Sequence, residues 1–438
     1  MAHQTARGGY QRLVERLNRA PQGAAPTELL HRILALLFSE RDADLVARLP
    51  IMPFPVRVAM RRWQLPEAEA RTLLDDLAGR GLLLDVRHKG RQMYVLPPPM
   101  AGFFEFSLMR VRDDVDQALL AELFHEYTQV EEDFARQLFT TGEIRFGRAY
   151  VSETAVERSA ERGHALHVLD HDRASELLRR ASHIAVGLCY CRHKAEHLHG
   201  ACDAPMELCL TLNQVGAALI RSGNAREVDL AEGLELLAQG REHGLVQFGE
   251  NAREDISFIC NCCGCCCVAM YAARKWGFLH PVQTSPYLPE VAWDACRGCG
   301  KCVEACPVEA LTLVPADDPR NPRKRKARLD PEACLGCGVC VPRCRHDALA
   351  LIEREERVIP PLNTVHRTVL SALDQGKLPN LLFDDPDQIS HRTMGAVLGA
   401  ILALPPVKRA AASKQLRSRY LDAFLQRFYR YESGETGG

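Results

Sequence analysis

Eighteen cysteines in a chain of 438 residues are the side chains best equipped for chemistry, and all lie between Cys189 and Cys344. The clearest pattern is an internal repeat at an offset of 38 residues, Ala295-Cys-Arg-Gly-Cys-Gly-Lys-Cys-Val-Glu-Ala-Cys306 against Ala333-Cys-Leu-Gly-Cys-Gly-Val-Cys-Val-Pro-Arg-Cys344. Each half reads C-x2-C-x2-C-x3-C. Three cysteines at this spacing wrap three corners of a cubane cluster, and the fourth reaches the cluster of the other half. The repeat therefore predicts Cys296, Cys299, Cys302 and Cys344 around one [4Fe-4S] cluster, and Cys334, Cys337, Cys340 and Cys306 around a second. Gly298, Gly300, Gly336 and Gly338 leave room for backbone N–H groups to approach cluster sulfurs. Zinc also binds C-x2-C pairs, but two identical fourfold runs favour iron–sulfur.

This repeat resembles the bacterial two-cluster ferredoxin family over roughly Val291 to Glu353. The resemblance implies a pseudo-twofold pair of cluster loops flanked by short hairpins and helices. Pro307 after Cys306 fits that family, whereas Arg345 after Cys344 departs from it, so the two clusters are expected to differ in exposure and potential.

Ten cysteines remain. Cys189, Cys191, Cys202 and Cys209 form one group, with His193, His197 and His199 nearby, and Cys209 fits either a ligand or a small core residue. Cys260, Cys262, Cys263, Cys265, Cys266 and Cys267 form another, too dense for packing alone. Read as a helix, this run would put Cys260, Cys263 and Cys267 on one face and Cys262 and Cys266 on another. Cys191, Cys202 and Cys209 are expected to join members of the run around one or two further Fe-S clusters. Zinc, or copper held by soft thiolates, is the competing reading. The chain as a whole is similar to bacterial 4Fe-4S proteins that join a winged-helix-like N-terminus, C-x-C-R and C-N-C-C-x-C-C-C segments and a terminal dicluster ferredoxin. That resemblance implies cluster binding and electron transfer without giving a substrate.

The elements that must position these thiols follow from periodicity. Leu29, Leu30, Ile33, Leu34, Leu36 and Leu37 predict one helix, Val56 to Trp63 a second and Pro66 to Arg80 a third, with a hairpin over residues 82–96. Three helices and a hairpin resemble a winged helix, but Glu67, Glu69, Asp75 and Asp76 on the third helix would repel phosphates, so nucleic acid is not the expected partner. The predicted fold is α+β and multidomain: a winged-helix-like domain over 25–98, a mostly helical cysteine-rich domain over 109–285, the dicluster domain over 286–353 and a helical region over 354–438. In that last region Phe383-Asp384-Asp385-Pro386-Asp387 signals a turn. The basic insert from Pro319 to Arg328 reads as a solvated loop, with a docking patch for an acidic redox partner as the lesser reading.

Composition sets outer limits. With 47% hydrophobic and 25% charged residues and a formal charge of -1, the chain reads as globular, without an overall bias towards nucleic acid or anionic membrane. Its longest apolar stretch, Met394 to Val407, holds two prolines and is too short to span a bilayer, and no signal-peptide pattern opens the chain. A cytoplasmic location is expected, where thiols stay reduced and serve metals. No G-x-G-x-x-G after a strand, P-loop or C-x-x-C-H motif is present, so dinucleotide, nucleotide-hydrolysis and covalent-haem chemistry lack their usual signals. The expected function is electron transfer between redox partner proteins. The alternatives are a substrate-reducing cluster at Cys260–Cys267, since Cys262-Cys263-Gly264 resembles segments of heterodisulfide-reductase-type subunits, and a redox sensor acting through the winged helix. Whether the protein is itself an enzyme, and its oligomeric state, stay open at this level.

Overall fold

The computed structural model describes residues 2–88, 90–384, 393–396 and 398–399. Helix and sheet are mixed, as the sequence predicts. The N-terminal part holds helices Ala2–Arg19, Glu28–Leu37, Glu40–Ala47, Val56–Trp63 and Glu67–Gly79, then an antiparallel hairpin of β1 (Leu84–His88) and β2 (Arg91–Val95). Periodicity missed Glu40–Ala47 because eight residues with only Ala43, Leu45 and Val46 buried are too short to show it. Its signal lies instead in the cap: the Ser39 hydroxyl accepts from the Asp42 N–H at 3.1 Å, and Asp42 accepts from the Ser39 N–H at 3.3 Å. The hairpin is tied to the central region, since Arg221 pairs with Asp85 at 2.8 Å and Gln214 accepts from the Arg87 N–H at 3.1 Å.

The central region over 109–285, expected to be mostly helical, adds a sheet that the sequence did not predict. Its strands are β3 (Gly147–Ala149), β4 (Ile184–Gly187), β5 (Cys209–Leu212), β6 (Arg226–Glu227), β7 (Val246–Glu250) and β8 (Phe258–Cys262). They form one antiparallel sheet in the order β3-β7-β8-β5-β4-β6. The inner strands are short and buried on both faces, so they lack the alternation that marks a half-exposed strand. Cys209–Leu212 also runs directly into the helix Asn213–Arg221, and only Asn213, at φ 55°, marks the break. Cys209 is therefore a strand residue, not a helical one.

Period-two alternation gives the sheet two different faces. Leu210, Leu212 and Ile259 point into a core with Leu177, Leu178, Leu236 and Leu237, beneath the helices Ala174–Arg179 and Leu230–Glu242. Cys209, Thr211, Phe248, Phe258, Cys260 and Cys262 line a cavity on the opposite face.

Beyond the sheet, β9 (Tyr287–Val291) pairs with β12 (Leu349–Glu353), and β10 (Leu311–Pro315) pairs with β11 (Arg325–Leu329). The basic insert is thus the loop and return strand of a hairpin. Lys326 is buried beneath Trp293, its ammonium 5.1 Å from the ring centroid, while Arg320, Arg323 and Arg328 are exposed. In the C-terminal region helices run over Thr364–Asp374 and Leu378–Leu382. Residues 354–363 of the predicted helical region are not helical, and those after Asp384, Asp385 to Asp387 included, lie outside the described residues except for 393–396 and 398–399, which are helical.

One buried ionic group joins the modules. Asp172 accepts from Arg148 of β3 at 2.8 Å and from Arg357, beyond β12, at 2.9 Å. Arg148 and Asp172 are both 2% exposed at the side chain, so neither charge is compensated by water. Removing one partner of such a group strands the other. Asp172→Ala is therefore expected to destabilise the chain by about 3–5 kcal/mol in urea denaturation, and a change below about 1 kcal/mol would show that the network contributes only what an exposed pair does.

Candidate metal centres

Cys296, Cys299, Cys302 and Cys344 line one cavity, walled by Val291, Leu313, Ala327 and Leu349. Three come from the first half of the repeat and the fourth from the second. Burial pushes the Cys302 thiol up to about 11, and the charges of Cys296, Cys344 and Cys299 add to it. The exchange is reciprocal. Burial also raises Cys334, to about 11, and Cys337 and Cys340 further, and in each of them Cys306 from the first half adds to the shift. Cys340 feels Cys302 as well, so the two groups adjoin.

Backbone donors already point at these sulfurs. Ala327 N–H donates to Cys296 Sγ at 3.3 Å, Ala310 to Cys306 at 3.2 Å, Gly336 to Cys334 at 3.3 Å and Ala348 to Cys344 at 3.3 Å. Ala310 and Ala348 each lie four residues after the final cysteine of their half, so the repeat extends to the second coordination layer. Gly298 has φ 68°, and a Cβ there would lie 2.1 Å from the Arg325 carbonyl, which explains why the loop requires glycine.

The ten other thiols separate into four and six. Cys202, Cys263, Cys265 and Cys266 bring their sulfurs within 4.8 Å of one another, with Cys265 and Cys266 at 3.6 Å and Cys266 and Cys202 at 3.9 Å. Cys189, Cys191, Cys209, Cys260, Cys262 and Cys267 line the cavity under the sheet, and Cys263 of the four-thiol group also reaches its wall. The run Cys260–Cys267 is strand, then turn, then the start of the helix Val268–Lys275. Cys260 and Cys262 share a strand face, the turn carries Cys263, Cys265 and Cys266 away, and Cys267 returns as the helix N-cap. This replaces the helical grouping expected from sequence.

In the six-thiol chamber the protons are unequally shared. Hydrogen bonds from Cys191 and Cys262 hold Cys267 well down, aided by the Met270 and Ala269 N–H groups at the helix start. Cys260 is likewise lowered by its Cys209 and Cys262 neighbours. Cys191, Cys209 and Cys262, as the donors, are raised. Burial raises Cys189 to about 12.

Two cations stand among these thiols. Arg192 is 1% exposed and lines the chamber; its Nη1 donates to the Asn261 carbonyl at 3.1 Å, while Nε and Nη2 lack a hydrogen-bond partner. Burial would lower its pKa, but Cys189, Cys263 and Cys262 outweigh that and hold it charged. Lys194, 2% exposed, donates to Gln129 and is lowered by burial against the pull of Cys191, Cys267 and Cys266. A buried guanidinium with two unused donor nitrogens fits a site built for an anionic group, and the thiolate set fits an iron–sulfur cluster. The histidines do not contribute in the same way: buried His193 bonds through Nδ1 to the Leu108 carbonyl at 2.8 Å and packs against His197.

Glu105 also lines the chamber, a residue that no sequence pattern singles out. Its carboxylate oxygens accept from the Ala101 and Gly102 N–H groups at 2.7 and 3.1 Å. Burial nevertheless pushes the carboxyl up to about 8.

The four-thiol group borders the ferredoxin-like module. Cys263, Cys265 and Cys306 line a common cleft. A Cβ on Gly264 would come within 3.0 Å of Pro307 Cα and O, so only glycine lets the thiol-rich turn lie this close to the residue after Cys306.

Residues 295–348 match the family model for a 4Fe-4S dicluster domain. The C-terminal part of the chain thus carries a ferredoxin-type iron–sulfur domain, and the protein is an iron–sulfur protein with [4Fe-4S]-binding capacity. No curated protein and no solved structure matches the chain.

Two outcomes follow from the chamber's charges. Glu105 stabilises the fold as the neutral acid, a contribution fully present below its unfolded pKa of about 4.3 and lost as pH rises through about 8. Glu105→Gln is expected to flatten the loss of denaturation midpoint across that window, and an unaltered pH profile would refute the assignment. Arg192→Gln is expected to weaken metal retention outside the ferredoxin pair by about 10–100-fold in a chelator challenge. Arg192→Lys should restore part of it, and equal retention in all three proteins would remove Arg192 from the site.

Proposed function

We propose that this chain is an iron–sulfur electron-transfer protein or subunit that exchanges single electrons with redox partner proteins. Cys296, Cys299, Cys302 and Cys344 hold one cluster; Cys334, Cys337, Cys340 and Cys306 hold the second. One or two further Fe-S clusters are held by Cys202, Cys263, Cys265 and Cys266 and by the six-thiol chamber. The observation that carries the reading is the meeting of four thiols from both halves of the repeat around one cavity. Bound [4Fe-4S] clusters supply reversible one-electron chemistry.

The chain's own residues provide the rest. Buried cysteines exclude water from the sulfurs, and N–H donors from Ala327, Ala310, Gly336 and Ala348 favour the more negative state of whatever the thiolates bind. Arg192 and Lys194 offset thiolate charge in the central region. The cleft shared by Cys263, Cys265 and Cys306 supports a continuous redox path from the ferredoxin module into that region.

The winged-helix-like reading of the N-terminus is better supported as a packing module than as a DNA reader. Its hairpin is engaged by Arg221 and Gln214, and the Tyr94 hydroxyl donates to Asp75 on the acidic helix. Eighteen cysteines, none of them in a disulfide, fit a reducing compartment such as the cytoplasm. Among the described residues, no helix is long and apolar enough to cross a membrane. Reduction of a small molecule in the central region is the second reading, favoured by the cleft that adjoins the six-thiol chamber.

Iron, acid-labile sulfide and zinc per chain, measured on anaerobically purified protein, test the proposal. Roughly twelve to sixteen iron atoms are expected; about eight would confine clusters to the ferredoxin pair, and zinc in place of iron would defeat the reading. Cys296→Ser and Cys344→Ser should perturb the same EPR signal, and Cys306→Ser the signal lost with Cys334→Ser. If Cys344→Ser instead groups with Cys334→Ser, the exchange of ligands between the halves is wrong.

A further inference from the structure

The six-thiol chamber has a neighbour. A cleft of about 310 Å³ lies against Pro97–Pro99 and the helix Thr364–Asp374, while the chamber encloses about 90 Å³. Ala101, Phe146, Val215, Ser257 and Phe258 border both spaces, so a single layer of side chains separates them. All but Phe258 retain partial exposure. Phe146 and Phe258 stack at 5.8 Å between ring centroids, and Ser257 turns its hydroxyl to Glu250 at 2.7 Å, leaving the layer apolar towards an entering molecule.

Charged groups along the cleft are engaged elsewhere. Glu250 pairs with Arg367 at 2.9 Å, and Arg16 donates to the Leu49 and Pro50 carbonyls. An ion crossing the layer would shed water with no free counter-charge in the cleft or the layer, Arg192 lying beyond it among the chamber thiols, whereas an apolar molecule would gain by leaving water.

We propose that the chamber is a small-molecule site, entered from this cleft through the Ala101–Phe146–Val215–Phe258 layer, which admits small uncharged and mainly apolar molecules to the six thiols and the metal centre they hold. The proposal rests on the reading of these thiols as metal ligands and adds to it a route, a gate and a ligand class. Val215 is the gate residue best suited to a test, because it stands on the helix Asn213–Arg221 and belongs to neither thiol group.

The test uses the anaerobic, iron-loaded protein and two probes with the same metal-binding atom, uncharged methyl isocyanide and anionic isocyanoacetate. EPR and visible spectra are followed in time. Methyl isocyanide is expected to perturb a signal that Cys267→Ser removes, to spare the ferredoxin signals, and to act at least about tenfold faster than isocyanoacetate. Val215→Trp should slow this change and Val215→Ala speed it, with iron content unaltered in both. No perturbation, equal rates for the two probes, or indifference to both Val215 variants would overturn the proposal.

Failure of the metal reading is separately visible, because Cys191→Ser and Cys267→Ser would then leave iron content unchanged. In that case the route is read on the same protein from mass-mapped modification of Cys191 and Cys267. Faster reaction with uncharged N-ethylmaleimide than with an anionic methanethiosulfonate, sensitive to Val215, sustains the gate; equal reaction or none removes it.

Discussion

Side-chain alternation along β8 is the constraint on which the central region depends. A strand sends successive residues to opposite faces, so Phe258, Cys260 and Cys262 look into the chamber while Ile259 joins the leucine-rich core. The turn that follows brings Cys263, Cys265 and Cys266 to Cys202, with Cys263 still reaching the chamber wall. Cys267 closes the excursion at a helix N-terminus, where backbone N–H groups favour a thiolate. One short peptide thus supplies three thiols to each of two groups. Pairing with β5 on one side and β7 on the other fixes the place of β8 in the sheet.

Concentrating thiolates inside a protein raises an electrostatic problem that packing cannot solve. Each buried thiolate disfavours its neighbours, and burial raises most of the thiols accordingly. The chain answers with two buried cations next to the cysteines, Arg192 and Lys194, and with N–H donors at several sulfurs. Arg192 is placed where thiols of both groups act on it, Cys189 and Cys262 from the chamber and Cys263 from the other. The guanidinium remains charged at any accessible pH, which a lysine in the same surroundings would not guarantee.

Much of the ferredoxin module was legible because its ligand spacing is local: a repeated C-x2-C-x2-C-x3-C names its residues before any fold is known. Even the trans-half meeting of Cys344 with Cys296 follows from the repeat. The central region was less legible for the opposite reason. Cys202 joins Cys263, Cys265 and Cys266 across about sixty intervening residues, and their grouping depends on β8 being a strand. Buried on both faces and only five residues long, β8 offers no periodic signal that separates it from a helix. Arg192 stood in view within the C-x-C-R segment, though its role needed the burial and the unused donors. Glu105 had no signal at all, since its importance comes from a cavity assembled by distant strands.

The shared peptide also bears on how this chain can change over generations. Adding or deleting one residue between Cys262 and Cys267 would shift the register at which thiols leave one group and enter the other, disturbing both together. Point substitutions can be tested by selection one site at a time, but changes of length here cannot. The two thiol groups therefore share one constraint on length, and an insertion or deletion in this peptide moves members of both.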